Sequence, residues 1–393
     1  MRISKKIQSI KPSATLAVSA KAMDLRAQGK EIISLSVGEP DFQTPDHIKQ
    51  AAKDAIDQGF TRYTQVPGIP ELRQAVADYF NNFYGTRAGI ESTIVTNGGK
   101  QGLYNLFQTI LDPGDKVIIP APYWVSYPAM VQLASGEPVI APTKAENDYK
   151  LKPGDLDALI DDKTRAIILN TPSNPTGCHY SPQELDELAA YCLDNNLFII
   201  SDEIYDQLIF EPAVPASLAK WWEKKPEMVA VVNGLAKSFS MTGWRVGFVL
   251  AHPDCVKGLS KIQSQSTSNI CSIAQKAALA ALTGPWDEVG EMRRAFARRR
   301  DIAMEIVLGW PEASCPKPDG AFYLFPDVSA CYGKGAENST ELCTLMLEKA
   351  GVALVPGTAF GQDECIRISY AVDDKTLIKA LEKVGQVLRT LIK

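Results

Sequence analysis

The feature that most constrains this chain is a series of short apolar, β-branched runs along residues 90–255, separated by longer amphipathic stretches. The runs are KVIIP (116–120), PVIAP (138–142), RAIILN (165–170), LFIIS (197–201), MVAVVN (228–233) and VGFVLA (246–251). Most are apolar on both faces, which suits strands of a sheet covered by helices on each side. Helix start signals lie between them. Ser181-Pro182-Gln183-Glu184 precedes LDELAAYCLDNN and supplies a capping serine, a first-turn proline and a capping-box glutamate. The expected fold class is α/β, a large domain with a mostly parallel central sheet flanked by helices, plus a smaller α+β domain.

The second domain is read from a change of texture beyond about residue 285. A long charged helix (288–309) leads into GAFYLFPDV (320–328). Then come a helix around ELCTLMLEKAG (341–351), short strands in VALVP (352–356) and CIRISYA (365–371), and a last helix from Asp374. The stretch through Pro40 holds too little apolar sequence to fold alone and is expected to pack on this layer. Residues 46–289 are therefore assigned to the large domain, and residues 1–45 with 290–393 to the small one.

Composition excludes several function classes. With 41 Lys and Arg against 46 Asp and Glu, the formal charge of −5 argues against a nucleic-acid binder, whose affinity would rest on a basic surface. The start of the chain shows no secretory signal, and the longest tempting uncharged stretch, residues 117–136, is broken by three prolines, so no membrane span is expected. The 393 residues can bury a core that needs no staple, and the eight cysteines include no CxxC. Free thiols in a cytoplasmic protein are the expectation, without a disulfide framework or a metal site. Three histidines give a His-centred hydrolase little to work with.

The most informative stretch is residues 228–250, MVAVVNGLAKSFSMTGWRVGFVL. Its only charge before Arg245 is Lys237, set after a buried strand among small residues. Such surroundings disfavour the ammonium and leave a nucleophilic amine, as Schiff-base chemistry requires, although a lysine can also snorkel to the surface. Ser238 and its neighbours, together with Arg245, suit a phosphate. Asp202 falls just past a strand, at the edge where open α/β sheets bind ligands; it could face a cationic ring nitrogen or merely cap a turn. Tyr205 could reach the same ligand. Asn174, in TPSNPTG (171–177), offers an amide or simply a turn. Gly99 and Lys100, in TNGGKQ, open a helix as an anion cradle or as an ordinary turn. Trp124 could stack on a planar ring or pack in the core. Arg367, between isoleucines, must meet either a structural carboxylate or a substrate anion. An amine, an acid for a ring nitrogen, a phosphate cradle, a stacking ring and a carboxylate fork together describe a site for pyridoxal phosphate.

The motifs KPSATLAVSAKA, SVGEPDFQTP, YTQVPGIPELR, TNGGKQ, PAPYWVSYP, NTPSNPTG, SDEIYDQL, NGLAKSFSMTGWRVGF and RISYA occur in this order over nearly the whole chain. In them the sequence resembles the class I, fold-type I aminotransferases, and among these the bacterial aspartate aminotransferase subgroup. The resemblance implies that Lys237 holds the pyridoxal 5′-phosphate aldehyde and shuttles a proton. It implies that Asp202 keeps the pyridine nitrogen protonated, that Tyr205 and Asn174 bond the ring hydroxyl, and that Trp124 stacks on the ring. Gly99, Lys100, Ser238 or its neighbours and Arg245 would hold the phosphate, with Tyr63 coming from the partner subunit of a homodimer. Arg367 would grip the substrate α-carboxylate, helped by Asn174 and the Gly38 backbone. One departure is Gly234, where some members carry a phosphate-binding serine.

Lys11 matches the position where some members bind the distal carboxylate of prephenate, and can equally be a surface lysine. The implied activity is ping-pong transamination between L-amino acids and 2-oxo acids, aspartate with 2-oxoglutarate first, with prephenate as a further acceptor. The same cofactor cage can also run lyase chemistry. A regulator with an aminotransferase-like domain is disfavoured, because the family pattern starts near residue 11 and leaves no space for a winged helix.

Overall fold

The computed structural model describes residues 1–10, 12 and 14–392. Its twelve strands form three sheets. The largest contains β2 (Thr93–Asn97), β3 (Lys116–Ala121), β4 (Glu137–Pro142), β5 (Thr164–Asn170), β6 (Phe198–Asp202), β7 (Val229–Gly234) and β8 (Val246–Leu250), in the order β2-β8-β7-β6-β5-β3-β4. Six of these are the apolar runs read from the sequence. The seventh, β2, has the mixed sequence TIVTN and carried no such signal. Pairing is parallel from β7 through β4, while β8 runs antiparallel to both of its neighbours.

Helices cover both faces of the inner part of this sheet, and strand alternation explains why its central strands are apolar on both sides. Ile118, Ile167, Ile199 and Val231 point into one core with Leu72, Val76, Leu185, Leu188 and Ala277. Their neighbours Val117, Ile119, Ile168, Ile200 and Val232 point into the other, with Leu103, Phe107, Val131 and Leu259. Each such side chain contributes about 1.5–3 kcal/mol on burial. The capping box forms as expected: the Glu184 N–H donates to Ser181 Oγ at 3.2 Å and the Ser181 N–H to Glu184 Oε2 at 2.7 Å, opening helix Pro182–Asp194.

The remaining strands lie near the two ends of the chain. β1 (Ile33–Ser34) pairs in parallel with β10 (Val352–Ala353), whereas Lys6, further upstream, donates to the Leu133 carbonyl and Ser135 Oγ at 3.0 and 3.1 Å. β9 (Tyr323–Leu324), β11 (Val355–Pro356) and β12 (Ile366–Ser369) form a small antiparallel sheet in the order β11-β12-β9. Helix Asp287–Leu308 ties these parts together through Arg299. Its guanidinium forks onto Asp41 at 2.7 and 2.9 Å and reaches Asp374, at the start of helix Asp374–Ile392, at 3.2 Å. All eight cysteines are free thiols, and no helix among the described residues is long and apolar enough to cross a membrane.

Candidate active site

The carboxyl ends of β2, β3, β5, β6 and β7 lie along one edge of the large sheet. The amino end of β8 joins them there because that strand is antiparallel. A cavity of about 640 Å³ opens at this edge. It is lined by Lys237, Asp202, Tyr205, Gly99, Lys100, Trp124, Asn174, Arg245, Gly38 and Arg367, which lie far apart in the chain. Three other sequence-derived candidates are placed differently. Ser238 is buried beside Lys237 and is not among the lining residues, whereas Thr242 is. Tyr63 is 91% exposed and also stands outside the cavity. Lys11 lies outside the described residues.

Lys237 follows β7 and is half-buried at the cavity wall, and its ammonium donates to the Gly38 carbonyl. Burial pushes its pKa down to about 8, Arg367 and Arg245 push the same way, and Glu39 opposes them. The snorkelling alternative is thereby removed: the amine faces the cavity and gives up its proton far more readily than a free lysine.

The sequence SDE offers two acids at the end of β6, and strand alternation separates them. Glu203 is turned away and held by Ser201 Oγ, Ser217 Oγ and the Leu218 N–H at 2.7, 2.6 and 2.8 Å. Asp202 lines the cavity, accepts from Tyr127 Oη at 2.7 Å, and is raised to about 6 by burial against the lowering effects of Tyr127, the Ile204 N–H and Lys237. A buried carboxylate of this kind is stabilised by a cationic partner such as a protonated ring nitrogen.

Arg367 in β12 is 3% exposed and meets no structural carboxylate among the described residues. Nη1 donates to Asn174 Oδ1 at 3.0 Å and Nη2 to the Ser36 carbonyl at 2.6 Å, while Nε is buried without a partner. A guanidinium held by two neutral oxygens keeps most of its charge for an incoming anion.

The anion cradle is built from backbone. Gly98, at φ +77°, delivers the chain into helix Gly99–Ile110, and a Cβ on it would lie 2.6 Å from Arg245 Nη2. Arg245 itself sits at φ +57°, a left-handed conformation that costs a non-glycine residue about 1–2 kcal/mol. Its Nη1 donates to the Thr242 carbonyl at 2.9 Å. Gly234 and Gly247 face each other across β7 and β8, and a Cβ on Gly234 would stand 2.8 Å from the Val246 carbonyl oxygen. This chain therefore lacks space there for the serine of some relatives.

Three further lining residues escaped the sequence reading. Tyr127 had been visible only as part of PAPYWVSYP. Asn170 donates to the Asp202 carbonyl at 2.9 Å and accepts from the Asn174 N–H at 2.8 Å, so it fixes two of the named residues at once. Tyr323, in GAFYLF, stands between Tyr205 and Arg367; a tyrosine in an apolar run gives no sign of facing a cavity.

A helix N-terminus without side chains beside an arginine, a buried acid, a partly neutral lysine and an unpartnered guanidinium nitrogen fit pyridoxal phosphate carrying an amino acid. Fold and cavity together define an enzyme that uses this cofactor on amino acids. The family profile "Aminotransferase class I and II" matches residues 30–384. The chain is 42% identical to the aspartate aminotransferase of Bacillus subtilis (strain 168), over 98% of both chains. It is 43% identical to the aspartate/prephenate aminotransferase of Cereibacter sphaeroides, over 97% of each. The structure of an aspartate aminotransferase from Thermus thermophilus with maleate superposes with a TM-score of 0.94 at 43% identity, covering 99% of this chain and 100% of that one. The chain belongs to the class I and II aminotransferases, and is a pyridoxal-phosphate-dependent transaminase.

Proposed function

We propose that this transaminase takes the amino group from aspartate and delivers it to 2-oxoglutarate. The observation that carries the dicarboxylate preference is a cation left over in the cavity. The phosphate needs Arg245 and the helix N-terminus, and the α-carboxylate needs Arg367. The Lys100 backbone belongs to the cradle, but its ammonium, held over the Trp124 ring at 4.9 Å from its centre, lines the cavity and has no carboxylate partner among the described residues, so it can meet a second carboxylate. The names of the similar enzymes support the same preference, and the Cereibacter enzyme's name supports prephenate as a further acceptor.

When bound, pyridoxal phosphate supplies an aldehyde that takes up the amino group and a ring that withdraws charge from the substrate Cα. The rest follows from the residues of this chain. Arg367, steadied by Asn174 and the Ser36 carbonyl, orients the substrate by its α-carboxylate. Lys237, once free, takes the proton from Cα and returns it, a role suited to an amine with a pKa near 8. Asp202, buried at the cavity wall, would balance a positive ring nitrogen. Trp124 covers the ring, and Tyr205 donates to the ring hydroxyl.

The division into domains at 46–289 and 1–45 with 290–393 belongs to the same reading, supported by the pairing of β1 with β10 and by the Arg299 fork. So does a cytoplasmic homodimer in which Tyr63 serves the site of a second copy; the exposure of Tyr63 away from its own cavity supports this. The deciding experiment incubates the holoenzyme with aspartate and 2-oxoglutarate. Glutamate and oxaloacetate should form in equal amounts; release of pyruvate or ammonia without glutamate would overturn the reading in favour of a lyase.

A further inference from the structure

We propose that Tyr323 is a positioning residue that donates its phenol hydrogen to Tyr205, tuning that residue's hydrogen bond to the cofactor while its ring backs Arg367. The inference rests on the reading above that Tyr205 donates to the ring hydroxyl of pyridoxal phosphate.

Both tyrosines are buried, and their hydroxyl oxygens lie 2.9 Å apart with the rings nearly perpendicular. A phenol has one proton. If Tyr205 spends its proton on the cofactor, the 2.9 Å contact can be a hydrogen bond only with Tyr323 as donor. An oxygen that accepts a hydrogen bond becomes a stronger donor, so this relay strengthens the bond to the ring oxygen. That bond favours the deprotonated ring oxygen, and with it the form of the bound cofactor that predominates at higher pH.

Two more contacts make Tyr323 a junction and not a chance neighbour. Its ring centre lies 4.7 Å from Arg367 Cζ, beneath the guanidinium. A Cβ on Gly38 would stand 2.5 Å from the Tyr323 hydroxyl, so the glycine at position 38 keeps space for this phenol. The charged and titratable groups facing the pair are Arg367, Asp202, Glu39, Tyr127 and Tyr370, with Lys237 Nζ 5.9 Å from the Tyr205 ring centre. Apart from Tyr323 and Tyr205, none of these groups is altered by the variants below.

The test follows the visible absorption of the holoenzyme against pH in Tyr323→Phe, Tyr205→Phe and the double variant, with Michaelis constants alongside. Tyr323→Phe keeps the ring and its stacking. It should move the spectral transition upward by about half a pH unit and change Michaelis constants by less than about twofold. Tyr205→Phe should move the transition further in the same direction, and the double variant no further than Tyr205→Phe alone. Tyr323→Leu, which removes the ring beneath Arg367, should raise the Michaelis constants of both the amino acid and the oxo acid. A Tyr323→Phe transition that stays in place while Tyr205→Phe shifts overturns the relay and leaves the role of Tyr205 standing. A Tyr323→Phe shift that persists in the Tyr205→Phe background also overturns it. If Tyr205→Phe itself produces no shift, the assigned role of Tyr205 fails, and the relay with it.

Discussion

At the scale of single residues, burial creates the reactivity. Lys237 and Asp202 are ordinary side chains whose pKa values move toward each other, to about 8 and about 6, chiefly because the protein strips part of the water from each charged form. Lys237→Ala should lose transamination and the visible absorbance of the bound cofactor while its circular dichroism stays that of the parent. Arg367→Ala should raise the Michaelis constants of all amino-acid substrates by about two orders of magnitude, since they share the α-carboxylate. Asp202 carries a stability cost that can be measured in the apoprotein. Its folded pKa lies above the unfolded value, so the folded state holds the proton more tightly and loses stability as pH rises through the interval between them. Above that interval the full penalty, about 3 kcal/mol, is present. Asp202→Asn apoprotein should therefore melt higher than the parent at about pH 8, and the advantage should vanish near about pH 4; an equal gain at both pH values would contradict this account. Residue identities such as Lys237 and Arg367 were legible in the sequence because a lone charge in an apolar run needs a reason. Tyr127 and Tyr323 were not, because a tyrosine among apolar residues satisfies the same pattern whether it fills a core or lines a cavity.

At the scale of elements, the site depends on how closely β2, β7 and β8 approach one another. A Cβ on Gly247 would fall 2.3 Å from the Gly99 nitrogen and 2.4 Å from the Gly98 carbonyl carbon. Gly247→Ala must push the cradle away from β8. It should destabilise the apoprotein by about 1–3 kcal/mol in denaturant melts and weaken pyridoxal phosphate binding by about tenfold or more in absorbance titrations. Six of the seven large-sheet strands could be read from their sequences, five because they bury side chains on both faces and the edge strand β4 because its run is apolar although only Ala141 in it is buried. The seventh, TIVTN, is buried at four of its five positions yet carries two threonines and an asparagine. Its Thr93 hydroxyl donates to the Arg73 carbonyl of helix Pro70–Tyr84 and its Thr96 hydroxyl to the Gly98 carbonyl two residues on, so both buried hydroxyls are tolerated there because each finds a carbonyl.

At the scale of the whole molecule, the proposed homodimer makes a prediction that no single chain can fulfil. Tyr63→Ala and Lys237→Ala should each be poorly active alone. Mixed after denaturation and refolded together, they should recover up to about a quarter of parental activity, because a hybrid holds one site with both residues intact; no recovery would place Tyr63 outside the partner's site. The sequence by itself determined the α/β class and most strand positions through hydrophobic periodicity and set Lys237 and Arg367 apart as lone charges, while the resemblance of its ordered motifs gave the aminotransferase family and the roles expected of Lys237, Asp202 and Arg367; all of these are read from local stretches of chain. Only the tertiary structure decided that Asp202 and not Glu203 faces the cavity, that Arg367 meets neutral oxygens in place of a structural carboxylate, that Gly234 has no space for a serine, and that Tyr323 joins Tyr205 to Arg367. Each of these depends on distances between segments more than ten residues apart, or on which way a strand is turned, and packing sets both.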